Sequence, residues 1–503
     1  MTNLSANLVN SARNHPDRIA LKCDDAALTY EQFRSAAARM ATLLETKGIK
    51  AGDRVGIMLP NTPAFAVVFY GILHLGAIAV PMNPLMSPRE IAFYLSNTGA
   101  KILYATGLFA DAAQEGAKNA GADCELIDDA SLFAAVVAQP EHDGPIERAD
   151  TDTAVVLHTS GTTGQPKGAE LTHGGLGRNA EVAVRTLFYG TSDDVIMGCL
   201  PLFHVFGLTC GLNSAVLCGA TLTLIPRFDP AKAMEVIERD AVTIFQGVPT
   251  MYSALLAATA QLPADAVQAA ARTLRLCASG GAAIPVQVIH DFESTFGCAI
   301  LEGYGLSETS PVASFNHPDS ERKAGSIGTP IDGVQMRVVA DDGSEVPQGE
   351  PGEIQIRGHN VMKGYWNLPE ATKDSINAEG WFATGDVARV DEDGYFYIVD
   401  RKKDLIIRGG LNIYPREIEE VLYSHPDVAE AAVIGMPHET LGEEVGAAVA
   451  LKPGSALDDE ALRDYVKTQV AAYKYPRRIW FVDALPKGPT GKVLRREITA
   501  PPA

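Results

Sequence analysis

An alternation of short apolar runs with helix-spaced patterns, starting near residue 16 and continuing to about residue 319, most constrains the fold. Arg18 to Cys23, Arg54 to Met58, Gly76 to Val80 and Lys101 to Tyr104 read as strands, with a helical pattern from Thr29 to Lys47 between the first two. The rhythm resumes at Ala154 to Leu157, then at Val195 to Leu200, Thr221 to Ile225, Val242 to Gln246, Leu274 to Ala278 and Ala299 to Glu302. Such alternation predicts parallel sheets covered by helices, with polar chemistry gathered at strand ends along one edge. Residues 126–152, acidic and alanine-rich, read as a surface connection.

Near residue 325 the pattern changes. Val334 to Val339, Glu353 to Arg357 and Tyr395 to Asp400 alternate tightly around Asp-Gly turns, as antiparallel hairpins do. Past Lys403 a compact α+β unit is expected: a helix opened by Pro415 and running to about Ser424, strands Val428 to Gly435 and Val445 to Leu451, and a helix from Asp458 to Ala472. The fold class is therefore α/β. A large N-terminal domain, 1–400, would hold β/α subdomains at about 1–152 and 153–324 and a β-rich subdomain at 325–399. Residues 400–404 would join it to a small α+β domain at 405–503.

The chain has 503 residues, enough for about three domain-sized units. Its formal charge of −20 argues against nucleic acid or an anionic membrane as principal partner. Seven scattered cysteines without CxxC spacing fit reduced thiols in a cytoplasmic protein. Residues 1–14 lack the pattern of a secretory signal. Two windows free of charge, Val55 to Pro88 and Val195 to Pro226, are broken by prolines, glycines and asparagines, so buried strand-helix-strand segments are expected and no membrane span.

After the apolar run at 154–157 comes Thr159-Ser160-Gly161-Thr162-Thr163-Gly164-Gln165-Pro166-Lys167-Gly168. Glycines let the backbone turn inward, and hydroxyls with one lysine suit a polyphosphate; by composition alone a surface linker reads the same way. Lys167 follows Pro166, so this is not a Walker A loop. Ser307-Glu308-Thr309 follows a strand and offers a carboxylate among hydroxyls, either for a hard cation or as a helix start.

These segments, taken in order, resemble the adenylate-forming superfamily of acyl-CoA synthetases, aryl-CoA ligases, luciferases and adenylation domains. The resemblance rests on TSGTTGQPKG (159–168), YGLSET (304–309), TGD (384–386), DRKKD (400–404) and PTGK (489–492), and spans the chain from about residue 15. It implies an N-terminal adenylation domain and a mobile C-terminal domain that rotates about Lys403. ATP, Mg²⁺ and CoA are the implied cofactors and a carboxylic acid the substrate; a homodimer and a carrier protein as alternative thiol acceptor are further partner expectations. Thr159, Ser160, Gly161, Thr162, Thr163, Gly164 and Lys167 would serve the ATP phosphates, Glu308 the Mg²⁺, and Ser307 with Gly305 the α-phosphate side. Tyr304, Gly281 and Ala282 would lie against adenine, and Asp386 and Arg401 at the ribose. Lys492 would be the lysine of the adenylation step, and His204 a gate to the acyl pocket. Gly409 and Gly410 would line the pantetheine channel, although a plain hairpin reads alike; Arg408, Lys474, Arg477 and Arg478 are phosphate candidates by charge only.

Acyl specificity is expected from Val205 to Thr209, Gly247 to Tyr252, Gly280 to Ala283 and Gly303 to Val312, whose only charge is Glu308. A second substrate carboxylate would be costly there. Malonate-using relatives place an arginine where this chain has Gly303. No acidic partner for an α-amine follows Phe203. A medium- or long-chain fatty acid is expected first, a cinnamate or benzoate second.

Overall fold

The structure, a computed structural model, describes residues 3–159, 165–401 and 404–501. Two large sheets form the centre of the N-terminal part. One has seven strands in the order 364–365, 167–172, 153–159, 78–81, 54–58, 102–106, 123–127. The other has nine, in the order 329–330, 312–315, 300–305, 276–279, 244–247, 195–198, 221–224, 19–23, 26–29. In both, the central strands pair in parallel, as β/α alternation requires. The two sheets share one apolar core.

Local sequence explains the helices. Thr29 caps Tyr30–Thr46 through a reciprocal box with Gln32, and Ser87 does the same with Glu90 for Pro88–Thr98. Each box satisfies two backbone donors that a helix start leaves open. The first uncharged window folds as Arg54–Met58, the wholly buried helix Pro63–His74, and Ile78–Pro81. The second folds as strand Val195–Gly198, helical turns Gly207–Asn213 and Ser214–Cys218, and strand Thr221–Leu224. Among the described residues no helix is long and apolar enough to cross a membrane. All seven cysteines are free.

Two expectations are corrected. Residues 126–152 are not only a surface connection: Asp123–Ile127 closes one edge of the seven-stranded sheet, and the helix Asp129–Val137, capped by Asp128, buries Leu132 and Val136. Two apolar residues four apart put one face of that short helix into the core, a signal hidden by the acidic surroundings. The division at residue 152 also does not follow the sheets. The hairpin 19–29 pairs with Thr221–Leu224 in the nine-stranded sheet, and 153–172 pairs with Ile78–Pro81 in the other. Sequential rhythm carries no information about which sheet a strand joins.

Val334–Val339, Gly352–Gly358, Phe382–Val390 and Phe396–Arg401 form a four-stranded antiparallel sheet. Beyond it, residues 406–481 make a separate sheet and apolar core of their own, with helices Pro415–Tyr423 and Asp459–Lys467. The second helix stops short of Ala472.

Glu302, on the strand Ile300–Gly305, is 3 % exposed. Its Oε1 accepts from the Ile284 amide at 3.1 Å and its Oε2 has no partner. Burial pushes its pKa up to about 7, opposed by Arg416 and the Ile284 amide, and reinforced by Glu420. A carboxyl raised above its unfolded value stabilises the fold at acid pH, and this contribution is lost as pH rises through the folded pKa. Glu302→Gln is therefore expected to raise Tm relative to the parent at pH 8, with the gain shrinking toward pH 5. Melting curves at the two values check this; a gain equal at both would contradict it.

Candidate active site

Strand ends from both sheets meet the C-terminal unit at one place. The strand Thr153–Thr159 ends against the short turn Ser307–Thr309, where the Thr159 hydroxyl donates to Glu308 Oε1 at 3.2 Å. Tyr365 donates to the same oxygen at 3.1 Å, and the Lys167 ammonium lies 5.0 Å from the centre of the Tyr365 ring. Antiparallel pairing of Thr159 with Lys167 brings the two ends of the phosphate-loop candidate together. Ser160, Gly161, Thr162, Thr163 and Gly164 lie outside the described residues, as does Lys403.

Glu308 is 8 % exposed and surrounded by hydroxyl oxygens. Among the described residues no cluster of three or more His, Cys, Asp or Glu side chains could hold a metal alone. One carboxylate with hydroxyl neighbours suits Mg²⁺, which keeps waters and takes phosphate oxygens for the rest of its shell. The donor set fits that ion in partnership with a nucleotide.

Beside this stands a second cluster. Tyr304 donates to Asp386 Oδ2 at 2.6 Å, and Arg401 Nε lies 3.0 Å from Asp386 Oδ1. Asp386 and Arg401 face each other across the pairing of Phe382–Val390 with Phe396–Arg401, so the sheet itself fixes them. Burial and the nearby Asp386 carboxylate push the Tyr304 phenol far above its usual range, which keeps it a donor. Gly385, at φ +74°, lies within the strand Phe382–Val390 next to Asp386, where the pairing with Gly352–Gly358 is irregular.

Gly281, at φ +80°, ends the neighbouring strand Leu276–Ser279, and a Cβ there would touch only Val248. Backbone at Gly281 and Ala282 is thus open to a flat ligand face. Gly303 and Gly305 are different: a Cβ would lie 1.9 Å from Phe315 at the first and 1.8 Å from the Pro311 carbonyl at the second. No side chain fits at Gly303 unless Phe315 moves.

The C-terminal unit supplies the remaining group. Thr250 donates to the Gly491 carbonyl at 3.0 Å, seating the loop that carries Lys492 on the strand-helix junction Val248–Thr250. Neighbouring groups crowd Lys492, while its side chain keeps contact with solvent. Desolvation, then the charge of Arg401, lowers its pKa to about 8, with Asp386 acting in the opposite direction. Asp386 and Asp404 act on it through space only, without a direct hydrogen bond. Burial, with Lys492 nearby, pulls His204 down to about 4 and leaves the imidazole neutral; its Nδ1 accepts from the Phe206 amide at 3.3 Å.

Further contacts hold this arrangement. Arg495 pairs with Glu419 at 2.6 Å, Asp400 at 3.3 Å and Asp404 at 3.5 Å. Arg416 donates to the carbonyls of Ile398 and Gly325, and Glu420 accepts from the Val286 amide. Gly409 and Gly410 turn the hairpin between Ile406–Arg408 and Leu411–Ile413, with Ile407 and Leu411 about half exposed beside them. Two phosphate candidates are already paired, Arg408 with Glu444 at 2.6 Å and Lys474 with Glu417 at 2.7 Å. Arg477 stacks 3.7 Å from the Tyr475 ring centre.

Sequence reasoning missed Tyr365 and Arg495. The first sits in an aromatic pair, Tyr365-Trp366, within an otherwise polar stretch, which was a usable signal. The second stands in the basic run Arg495-Arg496, which by sequence alone reads as a solvated tail.

Comparison with known proteins agrees with the geometry. The family described as AMP-binding enzyme matches residues 8–366, and the AMP-binding enzyme C-terminal domain matches residues 417–492. The long-chain-fatty-acid–CoA ligase of Bacillus subtilis (strain 168) is 35 % identical over 98 % of this chain and 94 % of its own. A feruloyl-CoA synthase of Amycolatopsis sp is 38 % identical over 97 % of each. ATP-bound MatB from Rhodopseudomonas palustris superposes with a TM-score of 0.91 at 33 % identity, covering 98 % of this chain and 97 % of that one. The chain belongs to the AMP-binding enzyme family and, within that adenylate-forming superfamily, to the AMP-forming acid–CoA ligases, which use ATP, Mg²⁺ and CoA.

Proposed function

We propose that this protein joins an uncharged-tailed monocarboxylic acid to CoA through an acyl adenylate, with a medium- or long-chain fatty acid as the first substrate class. The observation that supports it best is the convergence of Lys492 from the C-terminal unit on the Tyr304–Asp386–Arg401 cluster and on His204. Asp386 and Arg401 hold the ribose, Gly281 and Ala282 face adenine, and Ser307 and Gly305 border the α-phosphate. Thr159 and Lys167 hold the phosphates with residues 160–164. Glu308 binds Mg²⁺, which supplies charge neutralisation on the phosphate oxygens when bound.

The substrate carboxylate is ionised at neutral pH and needs no base. One of its oxygens attacks the α-phosphorus, the bond to the bridging oxygen breaks, and pyrophosphate leaves with the electron pair. Lys492 neutralises charge that develops on the oxygens during this step. A neutral His204 at the pocket mouth adds no competing cation. The C-terminal unit then turns about residues 400–404, withdrawing Lys492 and bringing the Gly409-Gly410 hairpin toward the cleft. Its half-exposed Ile407 and Leu411 gain apolar cover in that pose. The thiol of CoA attacks the acyl carbon and AMP departs with the former carboxylate oxygen.

The apolar, nearly charge-free lining supports a fatty acid. An aryl acid is the second reading, favoured by the 38 % identity to a feruloyl-CoA synthase. Acid-dependent pyrophosphate release and CoA-dependent thioester formation, measured over octanoate, palmitate, cinnamate, malonate and acetate, test both. Thioester from octanoate or palmitate is the expected result. Release of pyrophosphate with no thioester from free CoA would make a carrier protein the acceptor, and no release with any acid would sink the proposal.

The lowered pKa of Lys492 gives a pH prediction. The ammonium is charged below about 8 and neutral above, so kcat/KM for pyrophosphate release is expected to fall as pH rises through that region. Thioester formation from supplied acyl adenylate should not fall with it. Parallel profiles for the two half-reactions would contradict the assignment.

A further inference from the structure

The wall of the acyl site carries a polar atom that an apolar tail does not explain. Gln246 is the last residue but one of the strand Ile244–Gly247, two positions before Val248, the residue that abuts Gly491 beside Lys492. Its side chain therefore lies about 7 Å inward from the reacting edge, at the rise of an extended strand. It is 1 % exposed. Gln246 Nε2 donates to the Cys210 carbonyl at 2.9 Å, which fixes the orientation of the amide. The carbonyl end, Oε1, has no partner. A buried unpaired amide oxygen is costly, so a partner that arrives with the ligand would relieve that cost.

There is room for one. Cys210 and Gly211 belong to Gly207–Asn213, which winds as a π-helix, a departure often found at functional sites. Gly211 is buried, yet a Cβ added to it would meet a single atom within 4 Å, the same Gln246 Oε1, at 3.9 Å. Two other glycines of this region are tighter: Gly207 would meet the Pro201 carbonyl at 2.5 Å and Gly280 the Phe206 ring at 3.1 Å. The helix begins directly after His204–Phe206, at the gate of the site.

We propose that Gln246 Oε1 accepts a hydrogen bond from a hydroxyl on the far part of the acid, which passes over Gly211 to reach it. The substrate class is then a hydroxylated monocarboxylic acid, either an aromatic acid with a ring hydroxyl or an aliphatic acid with a terminal one. This rests on the acid–CoA ligase reading and adds the tail donor to it.

The test compares kcat/KM for thioester formation within two pairs, 4-hydroxycinnamate against cinnamate and 12-hydroxydodecanoate against dodecanoate. The hydroxylated member of at least one pair is expected to be preferred by roughly ten-fold or more, since a site built to bond a hydroxyl rejects the analogue lacking it. The pair that shows the preference tells an aromatic from an aliphatic source. Gln246→Met, similar in volume but without the acceptor, should erase the preference while turnover of the plain acid persists. Gly211→Ala provides an independent variant that fits the space, and it should lower kcat/KM for the preferred acid more than for propanoate. No preference in the parent protein, or a preference unchanged in Gln246→Met, overturns the inference. Equal losses for long and short acids in Gly211→Ala do the same. Thioester without a hydroxyl preference sinks this inference alone, whereas no thioester from any acid sinks the reading beneath it.

Discussion

Lys492→Ala is expected to slow acid-dependent pyrophosphate release by roughly 10²–10³-fold, the usual loss when one preorganised donor to a developing oxyanion is removed. Thioester formation from preformed acyl adenylate should change little. The asymmetry follows from where the residue sits. Thr250 holds Gly491 beside Lys492, and Arg495 ties Asp400, Asp404 and Glu419 together next to it. In the proposed mechanism this loop is withdrawn for the second half-reaction. Measuring each half-reaction separately is the check, and equal losses in both would show that Lys492 supports the fold and not the first step. Lys492→Arg keeps a charge but replaces a compact ammonium by a planar fork, and should restore only part of the rate.

Asp386→Ala is expected to cost about 2–4 kcal/mol in kcat/KM for ATP, corresponding to roughly 30- to 10³-fold. Three losses combine. The proposed ribose acceptor goes, the Tyr304 hydroxyl loses its 2.6 Å partner, and Arg401 loses the carboxylate neighbour at 3.0 Å. Unlike Lys492→Ala, this change should weaken both half-reactions, because the nucleotide stays on the large domain throughout. A loss confined to thioester formation would contradict the placement. Asp386→Asn preserves shape without charge and should fall between the two, read from the KM for ATP.

Much of this was readable from the chain before any coordinates. The strand run Arg54–Met58 and the hairpin strand Val334–Val339 fall where apolar spacing puts them, because each is short, strongly patterned and bounded by turn residues. The helix after Thr29 was marked by its capping residues. What spacing could not give was assembly. Nothing local says that residues 19–29 cross to the sheet of 195–224, or that Tyr365 returns from the β-rich region to stand over Lys167 and Glu308. Such contacts are set by long-range packing, and a two-residue strand such as Gly364–Tyr365 has no periodicity to detect. The orphaned Gln246 oxygen likewise exists only once the strand and the helix 207–213 face each other.

The same limit applies to the acid. With Glu308 as the lone charge of the proposed lining and Gly303 packed against Phe315, a second buried carboxylate would be costly. Tail length depends on how side chains close the far end, and that is a property of packing.

Transfer of oxygen from the acid to AMP tests the central claim most directly. With a carboxylate labelled at both oxygens with ¹⁸O, supplied with MgATP and CoA, mass spectrometry of the nucleotide product is expected to show one ¹⁸O in the phosphate of AMP per thioester formed. Unlabelled AMP, or label in inorganic phosphate beside ADP, would contradict attack of the carboxylate on the α-phosphorus and with it the roles given to Lys492, Asp386 and Glu308.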